Sequence, residues 1–66
     1  METEVNTIIK TWQNENPIET GDISAVTLRY ADSSLNIYTV EFYVDNTIKQ
    51  VKAIGGIDGW KLINLT

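Results

Sequence analysis

The chain contains no cysteine and no histidine. Disulfide staples are therefore excluded, and so is a structural zinc of the usual kind, whose ligands are Cys thiolates and His imidazoles. The same absences remove the commonest general base and the strongest side-chain nucleophile from any catalytic scheme. Basic residues are also few. Five Lys and Arg stand against nine Asp and Glu, for a net charge of −4. Phosphate backbones are held mainly by Lys and Arg, so this balance disfavours nucleic acid as a general partner. No apolar run approaches the roughly 20 residues a membrane span requires. The opening Met1-Glu2-Thr3-Glu4 lacks the basic and apolar regions of a signal peptide. Read as a full-length chain, the sequence is expected in the cytoplasm.

What is present suffices for a small core. Hydrophobic residues make up 42% of 66 residues, enough for one folded domain over 1–66 rather than a disordered segment. So short a chain buries only a modest fraction of its surface. Without disulfide or metal, its stability is expected to rest on tight packing, on oligomerisation, or on a partner.

The spacing predicts a helix over about 3–15. Val5, Ile8, Ile9 and Trp12 fall at i, i+3, i+4 and i+7, one helical face. Thr3 suits the N-cap and Glu4 the first turn. Asn14, Asn16 and Pro17 end the helix, because a residue preceding proline avoids helical backbone angles. Glu4, Thr7, Thr11 and Glu15 form the solvated face. Residues 16–22 connect to strands expected at about 23–31, 36–45, 48–54 and 60–65. The fold class is thus α+β: one N-terminal amphipathic helix on a four-stranded antiparallel meander, order 1-2-3-4.

Period-two alternation assigns the faces. Ser24, Val26, Leu28 and Tyr30 of the first strand, and Tyr38, Val40, Phe42 and Val44 of the second, are expected to face the helix. Leu28 then pairs with Val40, and Val26 with Phe42. A two-residue turn at Asn46-Thr47 pairs Phe42 with Val51 and Val40 with Ala53. That register sets Glu41 opposite Lys52, a cross-strand charge pair worth about 0.2–1 kcal/mol. The expected helix-facing set of the sheet is Val26, Leu28, Val40, Phe42, Val51, Trp60 and Leu62. The outer face is expected to carry Ala25, Thr27, Arg29, Thr39, Glu41, Tyr43, Gln50, Lys52, Lys61 and Ile63. The last strand is apolar on both sides, with Ile63 and Leu65 opposite Trp60 and Leu62.

Chemical motifs are sparse. Gly55-Gly56-Ile57-Asp58-Gly59 leads into a strand, not a helix, and no Gly-Lys-Ser/Thr follows, so it reads as a hairpin rather than a phosphate loop. Asp45, Asn46 and Asp58 lack the spacing of a calcium-binding loop. No catalytic residue, cofactor or metal site is expected, and the chain reads as a non-enzymatic protein. The ending Asp58-Gly59-Trp60-Lys61-Leu62-Ile63 resembles the closing strand of nuclear-transport-factor-2-like and related cystatin-like domains. That resemblance implies a helix against a curved antiparallel sheet. Members of that group use further helices to form a pocket, for which this chain is too short, so no ligand or catalytic residue carries over.

The candidate surface is therefore Arg29, Glu41, Tyr43, Lys52, Lys61, Ile63 and Leu65. The expected function is protein–protein interaction, foremost with itself as a homodimer, through the outer sheet face or the free edge of the last strand. The alternative is a small nucleic-acid-binding module using Arg29, Tyr43, Lys52 and Lys61, in which cationic groups and an aromatic platform share one surface.

Overall fold

The computed structural model describes residues 2–66. Helix α1 spans Glu2–Glu15, followed by strands β1 (Ile23–Asp32), β2 (Ile37–Val44), β3 (Thr47–Gly56) and β4 (Gly59–Asn64). The strands form one antiparallel sheet in the order β1-β2-β3-β4. The architecture is the α+β arrangement expected from the periodicities.

The helix already includes Thr3, so that residue does not cap it. Glu2 and Glu4 lie in the first turn, where the helix dipole favours negative charge. At the other end the Asn16 side-chain amide donates to the Trp12 carbonyl at 2.8 Å, satisfying a last-turn acceptor. Ile8 and Trp12 are the buried residues of the helix. The rings of Trp12 and Phe42 meet with centroids 5.0 Å apart and planes at 76°, the T-shaped geometry favoured by the ring quadrupoles.

Strand β2 organises the core. Tyr38, Val40, Phe42 and Val44 are all buried, while the alternate residues stay half-exposed. Val51 and Ala53 of β3 complete the buried cluster, and Trp60 and Leu62 of β4 pack against it. The Trp60 indole N–H donates to the Thr7 hydroxyl at 2.9 Å. The helix flank read as solvated thus meets β4 through Thr7.

Strand β1 departs from the expected alternation. Ser24 pairs with Tyr43 and Thr27 with Glu41, leaving Ala25 and Val26 together opposite Phe42. Arg29 is a second extra residue, between Leu28↔Val40 and Tyr30↔Thr39. Each β-bulge inserts one residue and reverses the parity of the side chains beyond it. Ala25 accordingly adopts φ 51°. Ile23, Leu28 and Ala31 become the β1 residues packed on the core. Of the expected helix-facing set of β1, only Leu28 is confirmed. Val26 is 44% exposed, and Tyr30 shares a face with Thr39.

The β2–β3 register is shifted by two residues. Val44 pairs with Thr47, so the turn is Asp45-Asn46 rather than Asn46-Thr47. Val40 faces Val51, Tyr38 faces Ala53, and Glu41 faces Gln50 instead of Lys52. Inner and outer sets survive because an even shift preserves side-chain parity. The cause lies in the turn. Its first residue, Asp45, has φ 55°, which Asp tolerates readily. Asp45 is also tied to the connecting loop. Its N–H donates to the Asp22 carbonyl at 2.9 Å, and its Oδ1 accepts from the Asp22 N–H at 3.1 Å. A Cβ on Gly21 would collide with this carboxylate, so glycine permits the approach. Lys49 and Glu19 form a partly exposed ion pair at 3.1 Å across the same junction.

The β3–β4 connection shrinks to the two-residue turn Ile57-Asp58, with Gly59 at φ 111°. In the β1–β2 loop the Asp32 carboxylate accepts from the Ser34 hydroxyl at 2.7 Å and from the Ser34 and Leu35 N–H groups at 3.1 and 3.2 Å. The Ser34 hydroxyl first, then the backbone donors, hold the Asp32 carboxyl below the ordinary carboxylate value.

Candidate interaction surface

The helix covers one face of the sheet and leaves the other uncovered. Paired residues share a face, so the registers fix what the outer face carries. Across one end run Ser24, Tyr43 and Ile48. Next come Thr27, Glu41 and Gln50. Leu65 extends this row, because its N–H donates to the Gln50 carbonyl at 2.8 Å. The third row is Tyr30, Thr39, Lys52 and Ile63. The fourth is Asp32, Ile37, Ile54 and Lys61.

Six of the residues singled out in the sequence therefore meet on this face: Glu41, Tyr43, Lys52, Lys61, Ile63 and Leu65. Arg29 does not join the ladder, because it is the extra residue of a bulge. Ala25 sits in the other bulge, and Ser24 takes the outer position beside Tyr43. Glu41 and Lys52 are one row apart instead of opposite. The Gln50 side-chain amide donates to Glu41 Oε1 at 3.1 Å in place of the expected ion pair.

The structure adds Tyr30, Ile37, Ile48 and Ile54 to the face. The three isoleucines were legible by parity, since Ile48 and Ile54 share the alternation of Gln50 and Lys52, and Ile37 that of Thr39. Tyr30 was not legible, because a bulge turns it outward. With these residues the face is more apolar than the sequence reading suggested. Tyr30, Ile48, Ile63 and Leu65 are among the exposed large hydrophobics, while Ile37, Tyr43 and Ile54 are half-buried by their neighbours. The charged groups Glu41 and Lys52 lie near the middle, on adjacent strands.

Concavities elsewhere are shallow. One lies at the β3–β4 turn, lined by residues 54–61 and bordering the fourth row, and another at the 15–19 loop. Among the described residues, no three His, Cys, Asp or Glu side chains gather as metal ligands. Among the same residues, no helix is long and apolar enough to cross a membrane. Comparison with protein-family models, curated proteins and solved structures finds no match to this chain. The six-residue likeness at 58–63 accordingly assigns no family.

Proposed function

We propose that this chain is a non-enzymatic interaction module that pairs with a second copy of itself through the outer sheet face. The observation that carries this reading is the uncovered apolar content of that face, with isoleucines and tyrosines on all four strands or their extension. These apolar side chains surround the polar residues Thr39, Glu41, Gln50 and Lys52, and apolar surface left uncovered on one face is what an interaction site would cover. Size supports it. Four strands about 4.8 Å apart, with eight-residue β2 rising about 3.3 Å per residue, give a footprint of roughly 500 Å². Two such faces bury about 1,000 Å², the lower bound for a specific interface.

Charge supports a second copy over a foreign partner. A two-fold axis in the interface plane, midway between Glu41 and Lys52, lays each carboxylate over the partner's ammonium. Such pairs fix register more than they add affinity. Sedimentation equilibrium tests the proposal. The wild type is expected as a dimer, weakened by Lys52→Glu and restored in the double variant Glu41→Lys with Lys52→Glu. A wild type that stays monomeric at hundreds of micromolar refutes it.

A single-stranded nucleic acid is the second reading. Tyr30 on the outer face supplies a second aromatic platform two rows from Tyr43, in the same row as Lys52. The net charge of −4 opposes it. It requires salt-dependent binding to an oligonucleotide, and absence of binding at low salt removes it.

A further inference from the structure

The two edges of the sheet are built differently. On β1 the bulges at Ala25-Val26 and Arg29 break the row of backbone groups, a device that protects edges from pairing. Strand β4 carries no bulge. It pairs residue by residue with β3 without a register shift from Gly59 to Asn64. It holds no proline and, between Trp60 and Asn64, a single charged residue, Lys61.

The phase of the ladder identifies the free groups. Leu65 N–H bonds to the Gln50 carbonyl, and bonded pairs of an antiparallel ladder alternate with non-bonded ones. Lys52↔Ile63 and Ile54↔Lys61 are then the bonded pairs. Trp60, Leu62 and Asn64 direct their N–H and C=O groups away from β3. This free row is symmetric about Leu62. An antiparallel copy of β4 placed with Leu62 opposite Leu62 sets each Trp60 opposite the other chain's Asn64. Every free group of the row then finds a partner, in six hydrogen bonds. Lys61 falls beside the other chain's Ile63, so the two ammonium groups are offset diagonally instead of opposed.

We infer that the β4 edge is a second self-association surface, joining dimers by strand addition in a register centred on Leu62. This rests on the reading that the outer face forms the first dimer. The face, with its larger footprint, fills at lower concentration. The edge axis runs perpendicular to the sheet and does not coincide with the face axis. Use of both therefore extends the assembly beyond a dimer.

The test combines sedimentation with amide hydrogen exchange over a concentration series. At high concentration the average mass is expected to rise above twice the chain mass. The Leu62 and Asn64 amides, unprotected when dilute, are expected to become protected together with that rise. A chemically synthesised chain with an Nα-methyl group on Leu62 lacks only an outward N–H. It is expected to keep the monomer fold and the face dimer and to weaken edge pairing about 30-fold, the loss of one hydrogen bond from each copy and so two per pair. If the mass levels off at a dimer up to millimolar concentration and Leu62 exchange is independent of concentration, the edge is not used and the inference fails while the face dimer stands. If Leu62 becomes protected but Ile48→Thr leaves all association unchanged, the edge stands and the face reading fails.

Discussion

Replacing Ile48 by Thr probes the outer face with little effect on the rest of the fold. Ile48 lies on β3 opposite Tyr43, at the end of the face remote from the residues that start β4. Thr keeps the β-branch and the preference for strand geometry, so the monomer should lose little. The magnitude follows from exposure. Burying a whole Ile side chain is worth about 1.5–3 kcal/mol, and 41% of this residue remains exposed in the monomer. Covering that remainder contributes roughly 0.6–1.2 kcal/mol per copy, and a two-fold dimer covers it twice. The variant is therefore expected to dimerise about 7- to 50-fold more weakly. Sedimentation velocity over a concentration series reads the dissociation constant, and a thermal melt checks that the monomer is intact. A change under twofold with an intact fold would refute the placement of Ile48 in the interface.

Three further outcomes test the fold that presents this face. Phe42→Ala removes a fully buried ring that Trp12 abuts. It is expected to cost about 3–5 kcal/mol, most of the stability available to so small a domain, and circular dichroism should show a largely unfolded chain. Gly21→Ala forces a Cβ against the Asp45 carboxylate and the Val44 side chain; about 1–3 kcal/mol of destabilisation should appear in urea unfolding. Asp32 has a folded pKa below its unfolded value, so its contribution is complete above the unfolded pKa. That contribution is lost as pH falls through the folded one. Stability of the wild type should thus decline at acid pH below the ordinary carboxylate range, and Asp32→Asn should shallow that decline; identical acid limbs would contradict the assignment.

The legible part of this fold is the part with unbroken periodicity. Strand β2 alternates without exception from Ile37 to Val44, and the helix stripe Val5, Ile8, Ile9, Trp12 holds its spacing, so both read directly. Strand β1 does not, because its core residues Ile23, Leu28 and Ala31 are five and three positions apart, a spacing only bulges produce. The β2–β3 register was ambiguous by two because either alignment buries the same residues. The choice was made by the φ that Asp45 accepts and by its bonds to Asp22, contacts made across 23 positions of chain. Of the candidate surface, Glu41, Tyr43, Lys52, Lys61, Ile63 and Leu65 were legible, and Arg29 was misplaced because it is the extra residue of a bulge. Its full apolar character emerged once Tyr30 was placed on the face and the parity of Ile37, Ile48 and Ile54 was followed through.

The most direct test of self-association through the outer face is sedimentation equilibrium of the unmodified chain in the tens of micromolar range. The account predicts an average mass approaching twice the 7.4 kDa of one chain. A single species of 7.4 kDa across the whole concentration series would contradict it.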